Sequence, residues 1–126
     1  MPYTIVYNDA GYIEMVSEGS LTSETASAGI LEMISLAKRY NCCHYLGDFR
    51  NVTLNLTMAA ICEIPVQVFN VSRQFGMHAS KLKRALIVDQ KNYEKFKFFE
   101  TVSRNRVQTV KIFTDGGNAM DWLMGN

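Results

Sequence analysis

The sequence predicts a single α/β domain on a mainly parallel five-stranded sheet, and three observations carry that expectation. Short β-branched apolar runs alternate with longer segments of helical periodicity in the order β-β-α-β-α-β-α-β-α, the pattern that crossover connections produce. The first two runs are separated only by Asn8-Asp9-Ala10-Gly11, a turn-forming stretch that sets an antiparallel hairpin at the amino terminus. The chain has 126 residues, enough for one continuous core and too few for two.

Taken in order, Tyr3 to Tyr7 and Tyr12 to Val16 form the hairpin. Thr22 then caps a helix from about Ser23 to Tyr40, with Glu24 at its positive end. Its apolar stripe is Ile30, Met33, Ile34 and Ala37, and Glu32, Ser35, Lys38 and Arg39 face water. Cys43 to Phe49 reads as a third strand with Asp48 and Arg50 near its carboxyl end, followed by a polar loop to Thr57. Leu56 and Ile61 flank Thr57 as a hydrophobic staple around an N-cap, so a second helix begins at Met58. Pro65 kinks that helix or forces it to restart before it ends near Gln74 and Gly76. Arg84 to Val88 is a fourth strand. Asn92 caps a third helix with Tyr93, Phe96, Phe99 and Val102 inside and Lys95, Lys97 and Arg104 outside. Val107 to Phe113 is the fifth strand. Thr114-Asp115-Gly116-Gly117 turns into a last helix whose apolar face is Ala119, Trp122 and Leu123.

Composition narrows the function classes. With 48% hydrophobic and 20% charged residues and two prolines, the chain is an ordinary globular one. Its amino terminus lacks the basic and apolar regions of a secretory signal, and no apolar run approaches the roughly 18 residues of a membrane span, so a cytoplasmic protein is expected. Cys42, Cys43 and Cys62 are an odd set without metal-type spacing, which speaks against disulfides and zinc and fits a reduced compartment. Residues 1–72 carry a net −4 and residues 73–126 a net +5. The basic side chains, among them Lys81, Lys83, Arg84, Lys91, Lys95, Lys97, Arg104, Arg106 and Lys111, are spread over two strands and a helix. No nucleic-acid partner is therefore expected.

The stretch Phe98-Phe99-Glu100-Thr101-Val102-Ser103-Arg104-Asn105-Arg106, then Val110-Lys111-Ile112-Phe113-Thr114-Asp115 with Ala119, Trp122 and Leu123, together with the element order, resembles the STAS/CRAL-TRIO-like family. These are small prokaryotic domains similar in fold to anti-sigma factor antagonists. The resemblance implies a STAS-like domain over residues 1–126 that regulates by meeting another protein. In those antagonists a serine or threonine in a D-S-S-G-like turn at the start of the second helix is phosphorylated. Here the region reads Asn55-Leu56-Thr57-Met58-Ala59, without the glycine and paired serines, and Thr57 is the hydroxyl at the comparable position.

Two binding readings follow. The first is a non-enzymatic regulatory or protein-interaction module acting through the loop after strand three and the start of helix two, with Asp48, Arg50, Asn51, Thr53, Asn55 and Thr57 as its surface. The alternative is a domain for a small, lipid-like apolar ligand, lined by Met58, Ile61, Ile64, Val68, Phe69 and Met77 around Pro65. The tempting catalytic set, Cys42-Cys43-His44, lacks an orienting third group, and in a strand Cys43 and His44 point to opposite faces. His78 sits in a loop without partners, and no phosphate-binding loop, dinucleotide fingerprint or paired-carboxylate motif is present. An enzyme is not expected, nor a cofactor or metal. The free edge of the hairpin offers a surface for a homodimer.

Overall fold

The computed structural model describes residues 2–125. Its elements are β1 (Tyr3–Asn8), β2 (Tyr12–Leu21), α1 (Ser23–Tyr40), β3 (His44–Leu54), α2 (Met58–Gln74), β4 (Lys83–Ile87), α3 (Tyr93–Arg104), β5 (Thr109–Phe113) and α4 (Gly116–Leu123). Two short 3₁₀ turns, Ala79–Lys81 and Gln90–Asn92, precede β4 and α3. The strands lie side by side in sequence order, with β1 and β2 antiparallel and the other neighbours parallel.

That order fixes where the helices go. Each right-handed crossover steps one strand in the same direction, so α1, α2 and α3 all land on one face of the sheet. Their buried residues, including Ile30, Met33, Ile34, Ile61, Val68, Phe96 and Phe99, pack with Ile13, Met15, Tyr45, Leu86, Val110 and Ile112 in the main core. Only α4 follows the last strand and covers the other face, where Ala119 and Leu123 meet Tyr12, Leu46, Ala85 and Ile87. Lys83 points to that side as well, donating to the Trp122 carbonyl at 2.6 Å and lying over its ring.

Local chemistry starts the two long helices as their sequences require. Thr22 accepts from the Thr25 amide and Thr57 from the Ala60 amide, each satisfying a donor that the first turn leaves free. Asn41 closes α1 in the left-handed conformation, with φ 50°.

Several expectations need correction. β3 does not end at Phe49 but runs to Leu54, because Asn51 to Leu54 pair with Glu18 to Leu21 of β2. A bulge after Asp48 absorbs the extra residue, and Val52 and Leu54 turn inward while Asn51 and Thr53 point away. The polar composition of this stretch belongs to an exposed strand face, and the loop is only Asn55 to Thr57. Pro65 does not break α2, which is continuous over 17 residues. Asn92 is not the side-chain cap of α3: Asp89 caps the 3₁₀ turn before it, and Asn92 is buried, donating to the Val52 carbonyl at 3.1 Å. β5 begins at Thr109, since Val107 turns left-handed with φ 61°.

Candidate functional site

The surface expected around the third strand divides between two sides of the sheet. Asp48 follows Leu46 on the α4 side and forms a forked pair with Arg50, whose Nη2 and Nε donate at 2.7 and 3.0 Å. Thr53 is exposed on the face away from the core, whereas Thr57 caps α2 at the edge of the three-helix layer. Asn55 bonds its side chain to the Ser20 hydroxyl. The structure therefore brings Asn55 and Thr57 together and leaves Asp48, Arg50, Asn51 and Thr53 elsewhere.

The Arg50 hydrogen bonds hold the Asp48 carboxyl below its ordinary value of 3.8. A carboxylate with a depressed folded value stabilises the protein above its unfolded pKa, and that contribution is lost as the pH falls through the folded one. Arg50 is half exposed, so screening keeps the pair to no more than about 1 kcal/mol. Asp48→Asn should lower the melting temperature slightly at pH 7, and the difference from wild type should shrink as the pH falls below 3.8. A difference that persists in acid would show that the side chain matters for another reason.

The second set of expected residues is also divided, by helical geometry. Ile61, Pro65, Val68 and Ser72 form the inward stripe of α2, one turn apart. Phe69 is turned about 100° from Val68 and is 48% exposed, and Met58, at the helix start, is 49% exposed. Met77 lies beyond the helix end, beside Lys38, His78 and Lys81 in a shallow depression. Only Ile61 and Ile64 of that set border the cavity described next.

Between the sheet and the three helices lies an apolar cavity of about 90 Å³. Strand register gives its depth. Leu21 and Leu54 stand at the carboxyl ends of β2 and β3 with Leu56 just beyond, Phe49 lies below them, then Met15, paired with Gly47, and below that Tyr45, paired with Arg84. Because the helices run antiparallel to the strands, Ala26 of α1, Ile61 of α2 and Lys95 of α3 rim the upper end, and Met33 and Phe99 reach the deeper level. The rim residues Ala26, Leu54, Leu56 and Ile64 are half-buried and Lys95 is exposed, so the cavity opens beside the Asn55–Thr57 turn. Gly47 keeps its floor open: a Cβ there would come within 2.5 Å of the Phe49 ring and 3.0 Å of Leu86.

Arg84 sits at the inner end, 4% exposed. It alternates with Ala85 along β4 and therefore shares the three-helix face with Leu86. Its guanidinium donates through Nη2 to Gln108 Oε1 at 2.7 Å and lies 5.8 Å from the Phe99 ring centre. Gln108 in turn donates through Nε2 to the Pro65 carbonyl at 2.8 Å, tying β4 to the middle of α2. Among the described residues three buried side-chain polar atoms lack a partner, Ser72 Oγ, Ser103 Oγ and Arg84 Nε, and of these residues only Arg84 borders the cavity. No described carboxylate lies within ion-pair distance of it. The buried Glu100 is already engaged, accepting from the Ile112 amide at 2.8 Å and from Lys97 at 3.0 Å. Burial pulls the Arg84 pKa down from 12.5 to about 10, with Tyr45 acting weakly in the opposite sense. The group therefore stays cationic at neutral pH. Tyr45, the β3 residue paired with Arg84, is also buried; its hydroxyl donates to the Met15 thioether, a weak acceptor, and burial raises its pKa.

The sequence counts Arg84 only among basic side chains spread over two strands and a helix, and singles out neither Tyr45 nor Gln108. A signal was available: an arginine two residues before Leu86, inside a β-branched run, falls on the core face by alternation. The Cys42-Cys43-His44 run holds no assembled nucleophile. Cys42 is buried with its thiol 3.4 Å from the Gly11 carbonyl and 3.5 Å from that of His44, and no group of metal-ligating side chains exists among the described residues. No helix among them is long and apolar enough to cross a membrane.

No protein-family model matches the sequence, and no curated protein matches it. Among solved structures, the chain is similar to an uncharacterised protein of the DUF3478 family from Shewanella loihica, described as having a SpoIIAA-like fold. The two share 19% identity over 96% of this chain and 91% of that one, with a TM-score of 0.56. The fold is SpoIIAA-like. That agrees with the STAS-like architecture expected from the sequence, an antiparallel hairpin followed by parallel strands and crossover helices. In this SpoIIAA-like domain the cavity lies under all three helices of one face, and its mouth adjoins the start of α2.

Proposed function

We propose that this chain is a non-enzymatic regulatory domain that holds a small apolar ligand between its sheet and α1, α2 and α3, and that meets a protein partner through the Asn55–Thr57 turn and the outer side of α2. The observation that carries this reading is the apolar cavity, whose rim residues Leu54 and Leu56 flank that turn. Filling it would fix the turn and α2 against the sheet, so occupancy and the shape of the outer surface are linked. Met58 and Phe69, exposed on α2, supply the apolar contacts that a partner would cover. The SpoIIAA-like fold is compatible with such a role.

The test is a titration of the full chain with n-pentanol, read by calorimetry and by thermal denaturation. Saturable binding with a rise in melting temperature is expected. Ala26→Leu, at the rim in the first turns of α1, should block entry and weaken binding by at least about tenfold, with the melting temperature of the free protein changed by no more than about 2 °C. Equal binding by wild type and Ala26→Leu would place the ligand elsewhere, and no binding by wild type would remove the reading.

A further inference from the structure

The cavity is lined by apolar side chains except at two places, the rim, where Lys95 is exposed, and the inner end, where Arg84 is buried. A lone buried cation is an expensive feature, tolerated where something neutralises it. Nothing among the described side chains does so: Gln108 is a neutral acceptor for one N–H group, Nε has no acceptor, and Glu100 is committed to Ile112 and Lys97. The Tyr45 hydroxyl, on the residue paired with Arg84 across the sheet, spends its proton on a thioether. Two donors on neighbouring strands thus stand at the closed end of an apolar cavity without a good acceptor.

We infer that the ligand is a short-chain monocarboxylate that enters head first, its carboxylate accepting from Arg84 Nε and from the Tyr45 hydroxyl and its hydrocarbon chain lying against Met15, Met33 and Phe99 towards the mouth. The inference rests on the ligand-binding reading above and adds the chemical class and the orientation. A carboxylate meets both requirements of the site. It carries the charge that the guanidinium lacks, and its oxygens can receive two donors at once. Volume sets the chain length. The cavity, at about 90 Å³, is smaller than the roughly 150 Å³ space known to hold the six carbons of benzene, so a carboxylate with a chain of about three or four carbons fills it and longer chains run on towards the mouth. Lys95 at the rim adds a positive charge along the entry path. Since Gln108 joins Arg84 to the Pro65 carbonyl, neutralising the guanidinium acts on a network already anchored in α2.

The decisive experiment compares pentanoate with n-pentanol, and with inorganic phosphate and chloride, by calorimetry on the full chain. Pentanoate should bind at least about tenfold more tightly than n-pentanol, the difference expected for a charge-assisted hydrogen bond at a buried site. Along the series from acetate to octanoate, affinity should rise and then flatten at about four carbons. Arg84→Met should abolish the preference for the acid. Tyr45→Phe, a milder change that keeps the ring, should weaken pentanoate about threefold to tenfold and leave n-pentanol unchanged. Equal binding of acid and alcohol to wild type would overturn the carboxylate inference and leave the apolar-ligand reading standing. Binding of phosphate or chloride as tight as that of pentanoate would overturn it too, by showing a bare anion site. If neither organic probe binds, both readings fall together.

Discussion

Arg84→Met should make the free protein more stable by about 1–2 kcal/mol, raising its melting temperature by about 3–8 °C, while removing its preference for an anionic ligand. Depression of the Arg84 pKa from 12.5 to about 10 corresponds to a penalty on the order of 3 kcal/mol for holding the charge in the fold. The sign follows from linkage. A cation whose folded pKa is lowered destabilises the protein at every pH below that folded value, so the whole penalty is present at neutral pH. Methionine has an adaptable apolar side chain that suits the neighbouring Phe99 and Leu86, and it removes the charge. Part of the gain is offset because Gln108 Oε1 loses its donor, although its Nε2 still reaches the Pro65 carbonyl. Thermal and urea denaturation without ligand would measure the change. A large loss of stability in Arg84→Met would mean that the guanidinium is already well compensated within the fold, and the reason for expecting an anion would disappear.

Gly47→Ala should do the opposite, lowering stability by about 1–3 kcal/mol and closing the cavity. The new methyl group would lie 2.5 Å from Phe49 Cε2, closer than carbon atoms tolerate, and in tight contact at 3.0 Å with Leu86 Cδ2 and 3.1 Å with Tyr45 Cε2. Phe49 Cε2 is the nearest of these atoms, so the Phe49 ring is the group that gives way, and the free space beside it is the cavity. The variant should therefore melt about 3–10 °C lower and lose binding of both pentanoate and n-pentanol. Arg84→Met, in contrast, should keep the alcohol and lose the preference for the acid. The two variants separate the shape of the site from its charge. Gly47→Ala with unchanged ligand affinity would show that the cavity floor is not part of the site.

The architecture was legible because it rests on local patterns. Ile30, Met33, Ile34 and Ala37 at helical spacing, the hairpin turn before Tyr12, and the caps Thr22 and Thr57 each identify an element without reference to the rest of the chain. Where reading failed, a distant partner decided the outcome. Arg50 to Leu54 looks like a loop in isolation and becomes a strand because β2 extends to Leu21 beside it. Pro65 looks like a break, yet the inward faces of Ile61 and Val68 on either side bury deeply enough to hold one helix together. Asn92 looks like a cap and is diverted to the Val52 carbonyl on another strand. The site was the least legible part for the same reason. Arg84 meets Gln108, and Tyr45 takes its place at the paired position, only through the pairing of β3, β4 and β5. Of the residues expected to line an apolar site, Ile61 and Ile64 border the cavity because they fall on the inward side of α2, and Met58 and Phe69 fall on the outer one.

Occupation of the space under the three helices by a small ligand can be read by methyl NMR of protein labelled at the methionine ε-methyl groups. Met15 and Met33 line the cavity, Met58 is exposed at the start of α2, and Met77 borders the separate depression near Lys38. On titration with pentanoate, the Met15 and Met33 signals should shift together and saturably and show magnetisation transfer from the ligand chain, while those of Met58 and Met77 stay in place. Saturable shifts at Met58 or Met77 with Met15 and Met33 unmoved would place the ligand outside the cavity.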